Sequence, residues 1–409
     1  GAALLGYVAS RAHHAEIGGR RPGSMPPDAR SLEEEGVVIP PTRLVEEGAP
    51  RWEAIRTLLT AAPWPTRAVE ENLADLTAAL AANHRGAAAL RGLASAHGRG
   101  TLREQMQVLA GRAAERLGEA LRALGDGTYR ARERLDDGTP LAVTMEVAGG
   151  RARVSFAGSG PVHPGNLNAT PAVVRSAVLY VLRLLVEALA PARLPLNEGL
   201  LRPVELEVPR GVLNPEFPED PARAPAVVGG NTETSQRVVD TLLKALGLAA
   251  CSQGTMNNVL FGSERFGYYE TVCGGTGATA EQDGASAVHS HMTNTRATDP
   301  EVLELRYPVR LERFAVRRGS GGAGRRRGGD GAVREIRFLE PLSLSVLTQH
   351  RRERPYGVAG GEAGSAGRQR VERASGEVEE LGPVDGCEVE AGDRLVLQTP
   401  GGGGWGTPA

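Results

Sequence analysis

The chain has 409 residues, of which 41% are hydrophobic, 23% charged and 4% aromatic, and its formal net charge at pH 7 is -2. This composition is ordinary for a globular protein large enough for about two or three sub-domains. The near-neutral charge argues against a general nucleic-acid-binding protein, and no apolar run is long enough to span a bilayer. The three cysteines are far apart and make no disulfide framework, so we expect a protein of the reducing cytoplasm.

The first part of the chain predicts a strand, a loop and a helical arm. The apolar run 2–11 is predicted to form a buried strand, and the Gly- and Pro-rich stretch 13–27 a loop. Because the chain begins with Gly1 and enters this run at once, we expect that an N-terminal segment precedes it. Leucines at spacings near 3.6 predict helices over 51–62 and 66–124, with a break at Gly98.

The rest of the chain predicts a mixed-sheet core. Three short runs separated by turn residues indicate strands over 128–135, 141–147 and 151–156. Thr170 and Pro171 are typical of a helix start, and that helix is expected to end near Leu189. A further helix is predicted from about Asn231 to Leu246, and strands are predicted at Asn257–Phe261, Tyr268–Val272, Tyr307–Val316, Gly331–Phe338, Leu342–Gln349 and Val384–Gln398.

These elements predict a mixed α/β fold, with several layers, a helical arm near the N-terminus and a mixed-sheet core. We expect three parts: residues 1–50 with a strand and a metal-ligand loop, residues 51–125 as the helical arm, and residues 126–409 as the core with a β-rich C-terminal part.

The segment after the predicted first strand carries two adjacent histidines and a carboxylate, His13, His14 and Glu16. Imidazole and carboxylate ligands together suit Zn, Mn or Fe. If the strand continued through this segment, His13 and His14 would point to opposite faces, so only one could bind a given ion. The alternative is a pair of surface histidines in a loop, and for an isolated pair that alternative is the favoured one.

A second polar segment runs from Asp283 to Arg296 and contains His289, His291 and Asn294. His289 and His291 are two positions apart, so on a strand they share a face and can bracket one substrate carbonyl or ion. Asn294 adds a neutral donor for a developing oxyanion. A polar strand end that makes ordinary hydrogen bonds explains the same residues equally well.

A third segment, Gly229-Gly-Asn-Thr-Glu-Thr-Ser, opens the helix predicted near residue 231. Glycines and polar residues at a helix start can hold an anion with backbone N–H groups. We therefore take Asn231, Glu233 and Ser235 as candidate substrate-binding residues, although an ordinary helix cap accounts for most of the pattern.

Taken together, these segments are more specific than any one of them. The chain resembles the hydantoinase B / 5-oxoprolinase family, and the resemblance runs in order through 10–26, 197–203, 229–240, 253–258, 269–271, 283–296, 320–324, 327–329 and 399–406. It implies an ATP-dependent opening of a cyclic amide such as 5-oxoproline or a hydantoin. ATP is expected on a separate A-type subunit, or on another part of a fused protein, in a hetero-oligomer. That division agrees with the lack of a phosphate-binding loop motif here.

The resemblance also implies a divalent metal, with a histidine of the His13–His14 segment among its ligands. The family's stretch that supplies further ligands precedes the point at which this sequence starts, and Glu16 stands where Asp is expected. On this basis His13 and His14 are predicted metal ligands, and His289, His291, Asn294 and Glu16 are predicted catalytic residues. The alternatives are a subunit of a related ketone carboxylase and a scaffold fragment without catalytic activity.

Overall fold

The structure of the protein is a computed structural model, which describes residues 4–190 and 194–408. These residues form the predicted mixed α/β fold. The helices of this described part are α1 (Leu32–Glu35), α2 (Trp52–Thr60), α3 (Val69–His97), α4 (Arg99–Leu124), α5 (Pro171–Leu189), α6 (Ser235–Leu246) and α7 (Pro300–Arg306). A 3-10 turn covers Glu198–Leu201, and a π-helical turn over Gly230–Thr234 leads directly into α6.

The strands are arranged in a small hairpin and three larger sheets. They are β1 (Val45–Glu46), β2 (Ala49–Pro50), β3 (Gly127–Arg134), β4 (Pro140–Ala148), β5 (Arg151–Ser155), β6 (Val204–Glu207), β7 (Asn258–Ser263), β8 (Phe266–Thr271), β9 (Val309–Arg317), β10 (Gly331–Phe338), β11 (Leu342–Leu347), β12 (Arg368–Glu372), β13 (Val378–Glu380), β14 (Val384–Val389) and β15 (Arg394–Gln398). The sheet orders are β3-β4-β5-β6, β14-β11-β7-β8 and β13-β12-β15-β10-β9. Neighbouring strands are antiparallel, except that β5 and β6 are parallel.

One hydrophobic core lies between the sheet β3–β6 and the helices α4, α5 and α6. Strand β4 alternates between buried and less buried positions, as expected for a sheet with one face against a core. The core contains side chains from each of these elements, including Leu117, Leu121, Met145, Val178 and Leu242. Helix α6 contacts both β3 and β4, so this core fixes its position.

The two other large sheets bury their side chains in a second common core. Phe261 and Leu344 come from one sheet, and Phe338 and Leu397 come from the other. A third, smaller core lies under α2 and the start of α3, around Ile55 and its neighbours Val37, Leu59 and Leu73. The rest of α3 extends away from it, since Asn72 and Leu73 are its buried residues.

Most predicted elements are confirmed. Helices α2, α3 and α4 match the predicted arm, and the break between α3 and α4 falls at Gly98, whose φ of 83° lies in the left-handed region that favours glycine. The predicted run 384–398 proves to be two strands, β14 and β15, which belong to different sheets. Strands β1, β2, β6, β12 and β13 and helix α7 were not predicted.

The predicted buried strand over 2–11 is wrong for the residues that the structure describes. Residues 4–11 form no strand, and Leu4 and Tyr7 are 59% and 87% exposed. Residues 2–3 lie outside the described residues. The apolar run has the composition of a strand, but no neighbouring strand within the described ranges pairs with it. Within residues 4–190 and 194–408, no helix is long and apolar enough to cross a membrane.

The first core predicts a sharp contrast between two leucines of α4. Leu117 is fully buried, whereas Leu109 is 40% exposed on the same helix. Leu117→Ala removes buried methyl groups and leaves a cavity, so we expect it to lower the free energy of unfolding by about 2–5 kcal/mol in urea denaturation. Leu109→Ala is the matched control and should lower it by less than about 1 kcal/mol. Equal losses in the two variants would contradict this description of the core.

Candidate functional site

The loop that carries His13 and His14 is held in place by Glu16. Glu16 is buried, and its two carboxylate oxygens accept the backbone N–H groups of Gly18 at 2.7 Å and Gly23 at 2.8 Å. The guanidinium of Arg67 lies 3.3 Å from the same carboxylate. Since both oxygens are occupied by these donors, the geometry gives Glu16 a structural role in shaping the loop.

His13 and His14 sit at the surface end of this loop. His13 is exposed, and the Nδ1 atom of His14 lies 3.0 Å from a carboxylate oxygen of Asp75 on α3. A protein site for zinc uses three or four protein ligands. Within residues 4–190 and 194–408, no group of three or more His, Cys, Asp or Glu side chains is placed to hold a metal ion. The described residues around His13 and His14 therefore do not supply enough ligands for a metal site by themselves.

The Gly229–Ser235 segment contains the π-helical turn Gly230–Thr234 and the first residue of α6. A side chain at Gly230 would meet the backbone oxygen of Asn168 at 1.9 Å, so the close approach of the two backbones requires glycine there. The Ser235 hydroxyl donates to the backbone oxygen of Asn231. Of the predicted substrate-binding residues, Asn231 is half-buried and Ser235 is buried. The structure thus keeps these residues together at one helix start.

Glu233 in this turn is fully buried. One of its carboxylate oxygens accepts the side-chain amide of Asn258 at 2.7 Å and the backbone N–H of Met256 at 3.2 Å. The other oxygen has no hydrogen-bond partner among the described residues. Burial raises the pKa of Glu233 to about 8, in spite of these donors. Glu233 is therefore mainly a neutral carboxylic acid at pH 7, so it adds no negative charge at this helix start.

The other predicted histidines line a cleft. The cleft has a volume of about 790 Å³ and lies beside the carboxyl-terminal halves of α5 and α6. One wall is apolar and includes Leu184 and Leu243, while His289 and His291 lie among the polar residues. Asn294 is exposed and does not line the cleft. Of the residues predicted from this segment, the structure thus brings together His289 and His291.

His291 is in contact with two groups from the helices. Its Nε2 atom lies 3.1 Å from a carboxylate oxygen of Asp240 on α6, and its Nδ1 atom lies 3.4 Å from the hydroxyl of Tyr180 on α5. Asp240 is 1% exposed. Neither Asp240 nor Tyr180 was among the site residues predicted from the sequence. Asp240 is the one that could have been found, because it is an acidic residue between the apolar positions Val239 and Leu242 of a buried helix.

Several polar atoms around the cleft have no partner within the described ranges. They are Nδ1 of His289, Oγ of Ser290 and Oγ1 of Thr293, all three in residues that line the cleft, and the second carboxylate oxygen of Asp240. Buried polar atoms are nearly always hydrogen-bonded, so such a group of them marks a place where a polar ligand or water binds. Burial also lowers the pKa of His289, which keeps its imidazole neutral and able to accept a proton at pH 7.

Comparison with known proteins places these features in a family. A family model described as hydantoinase B/oxoprolinase matches residues 1–408. 5-Oxoprolinase 1 of Arabidopsis thaliana is 42% identical over 99% of this chain and 33% of its own length. The 5-oxoprolinase of Dictyostelium discoideum is 40% identical over 98% of this chain and 32% of its own length. The chain therefore spans about a third of the length of these relatives.

Solved structures share the fold. The ATP-dependent caprolactamase from Pseudomonas jessenii superposes with a TM-score of 0.82 at 26% identity, over 97% of this chain and 71% of that one. A nucleotide-free structure of acetone carboxylase superposes with a TM-score of 0.79 at 18% identity, over 97% of this chain and 60% of that one. At that identity, the second likeness concerns the fold alone.

The loop geometry leads to a prediction about metal content. Because the described residues supply an incomplete ligand set, we expect the 409-residue chain alone to retain less than one Zn, Mn or Fe ion per molecule. Inductively coupled plasma mass spectrometry after desalting in a weak chelator measures this ratio. One tightly held ion per chain, lost in His13→Ala or His14→Ala but kept in His84→Ala, would contradict the prediction.

The buried carboxyl of Glu233 leads to a prediction about pH. Its pKa is about 8 in the folded protein against 4.5 for a free glutamate, so the folded state keeps a proton that the unfolded chain loses. This contribution to stability is present below pH 4.5 and is lost as the pH rises toward 8.

Glu233→Gln removes the titrating group and keeps one oxygen acceptor. We expect it to reduce the fall in unfolding free energy between pH 5.5 and pH 8 by up to roughly 1.4 kcal/mol per pH unit, measured by urea denaturation. Glu104 is exposed on α4, and Glu104→Gln is the control, which should leave the pH dependence of the unfolding free energy unchanged. An unchanged pH dependence in Glu233→Gln would show that Glu233 is ionised in the folded protein.

Proposed function

Because this chain belongs to the hydantoinase B/oxoprolinase family, we propose that it is the hydrolytic part of an ATP-dependent enzyme that opens a cyclic amide such as 5-oxoproline or a hydantoin. The observation that carries the proposal is the family match over residues 1–408, with 42% identity to a 5-oxoprolinase. ATP would be bound by an A-type partner, either a separate subunit or another part of a longer protein. This agrees with the lack of a phosphate-binding loop motif in the sequence.

The chemistry of the proposal places demands on the site. If ATP phosphorylates the amide oxygen, water adds to the ring carbon and gives up a proton, and the C–N bond breaks as the ring nitrogen gains a proton. The acyl phosphate that results is then hydrolysed to a carboxylate and inorganic phosphate. Histidine is the side chain that most often carries out both transfers near neutral pH. His289 and His291 are the candidates, since both line the cleft and His289 is held neutral by burial.

The cleft also has the size and lining of a small-molecule site. Such sites are typically about 300–1,000 Å³, mostly apolar, with a few convergent polar groups. The cleft of about 790 Å³ combines an apolar wall, which includes Leu184 and Leu248, with the polar atoms of Ser290 and Thr293. We infer that the apolar wall contacts the methylene part of the ring and that the polar atoms contact the amide.

The decisive test uses the full-length protein with its ATP-binding part, ATP, and 5-oxoproline or a hydantoin. We expect His289→Ala and His291→Ala each to lower kcat for ring opening by about 10²–10⁴-fold, because general acid–base catalysis contributes a factor of that order. His84→Ala, on the exposed surface of α3, is the control and should keep wild-type activity. Ring opening is followed by chromatography of the linear product, and folding by circular dichroism.

Several outcomes contradict the proposal. If both His289→Ala and His291→Ala fold and keep wild-type kcat, the cleft takes no part in the reaction. ATP consumption that requires bicarbonate and a ketone, with no ring opening, would indicate a carboxylase instead. Unchanged ring opening in both His13→Ala and His14→Ala would contradict the prediction that these two histidines are metal ligands.

A further inference from the structure

We propose that Asp240 is a positioning residue, which holds the imidazole of His291 in one orientation and one tautomer for proton transfer in the cleft. The inference rests on the proposed function of the cleft. It adds a residue, and a role for its carboxylate, that the predicted set of site residues does not contain.

The carboxylate of Asp240 is itself fixed. The oxygen that contacts His291 also accepts the backbone N–H of Ser252 at 3.1 Å. The hydroxyl of Tyr356 donates to the backbone oxygen of Asp240 at 2.5 Å. Since Asp240 lies in the middle of the buried helix α6, it cannot follow the motions of the cleft surface. The partner of His291 is therefore a rigid group.

His291 is held from two sides. The buried carboxylate of Asp240 favours the tautomer in which Nε2 carries the hydrogen and donates it as a hydrogen bond, so Nδ1 keeps its lone pair. Nδ1 faces the hydroxyl of Tyr180, and the two rings meet edge to face with centroids 5.7 Å apart. His291 also has a φ of 56°, a left-handed conformation that is strained for a residue other than glycine and persists only where the surroundings impose it.

The groups around Asp240 favour His291 as the one that gains a proton. Burial and the charge of Asp240 raise the pKa of the Tyr180 hydroxyl and, to a larger extent, that of the Cys251 thiol, so both stay protonated. Burial and the charge of Arg237 hold the pKa of His350 well below its usual range, so His350 stays neutral. A proton taken from water is thus stored on the imidazole, next to the carboxylate that stabilises the resulting positive charge.

A purely structural role makes different predictions. The titratable groups that face His291 are Asp240 on α6, Tyr180 on α5 and, among the other residues lining the cleft, His289 and Glu281. If Asp240 only ties α6 to Ser252, its loss destabilises the protein without changing how activity depends on pH. If it positions His291, its loss lowers kcat of the folded protein and changes how kcat depends on pH.

The experiment compares Asp240→Asn with the wild type in the full-length protein with its ATP-binding part. Asparagine keeps the size and an oxygen acceptor for Ser252 but removes the charge. We expect kcat to fall by about 10²-fold or more, with KM changed less than about threefold. The acidic limb of the kcat–pH profile should move to lower pH, because removing a negative charge beside an imidazole favours the neutral form of that ring. Asp240→Glu should restore part of kcat.

Asp137→Asn provides the matched control. The Nε2–H group of His163 donates to a carboxylate oxygen of Asp137 at 2.6 Å, in a second aspartate–histidine pair that does not line the cleft. We expect its kcat and pH profile to match those of the wild type. An Asp240→Asn protein that keeps wild-type kcat, or that loses activity only in proportion to folded protein and with an unshifted profile, overturns the inference.

The two proposals fail in distinguishable ways. If His291→Ala retains full activity, the proposed role of the cleft fails, and the inference fails with it. If His291→Ala is inactive but Asp240→Asn behaves as wild type, only the inference fails. Should Asp240→Asn not fold, 15N NMR of the histidines in the wild-type protein decides, with His291→Ala assigning the signal. Nε2–H on His291 is the expected tautomer, and Nδ1–H overturns the inference.

Discussion

Helix α6 is buried along almost its whole length, with Lys244 and Ala245 as its less buried positions, so its polar side chains must find partners inside the protein. Gln236 donates to the backbone oxygen of Ser290 and accepts the backbone N–H of Met292. The carboxylate of Asp240 contacts His291. These contacts hold segment 289–293 against the helix, and the cleft lies where the two meet.

The same helix also joins the two large cores. Its apolar side chains, such as Leu242, pack in the core beneath sheet β3–β6. Glu233, at its start, accepts the amide of Asn258 on β7, and the same amide donates to the backbone oxygen of Leu347 on β11. Arg237 donates to the imidazole of His350. The start of α6 is thus tied to the sheet β14-β11-β7-β8, while its carboxyl-terminal half lies beside the cleft.

The loop at His13 and His14 contrasts with the cleft. Both segments were predicted from the sequence to be functional because each contains a close pair of histidines. In the loop, the carboxylate of Glu16 accepts backbone N–H groups and pairs with Arg67, and His14 contacts the carboxylate of Asp75. In the cleft, the histidines lie beside buried polar atoms that have no hydrogen-bond partner in the described part of the chain. The difference lies in what surrounds each pair, and residues distant in sequence supply those surroundings.

The sequence by itself determined the family, the mixed α/β class and most elements, because helix periodicity, caps and turns depend on residues within a few positions of each other. It located the break at Gly98, the start of α5 at Thr170 and the pair His289 and His291. The division into parts 1–50, 51–125 and 126–409 stays a prediction.

Only the tertiary structure decided which groups meet. Asp240 and His291 are 51 residues apart in the chain, and their contact depends on how α6 packs on β3 and β4. The neutral state of Glu233 also depends on the tertiary structure, since burial alone raises its pKa. So does the conformation of residues 4–11, which have no strand to pair with among the described residues. Hydrogen bonding, burial and strand pairing are properties of the whole packed chain, and for that reason local sequence patterns do not contain them.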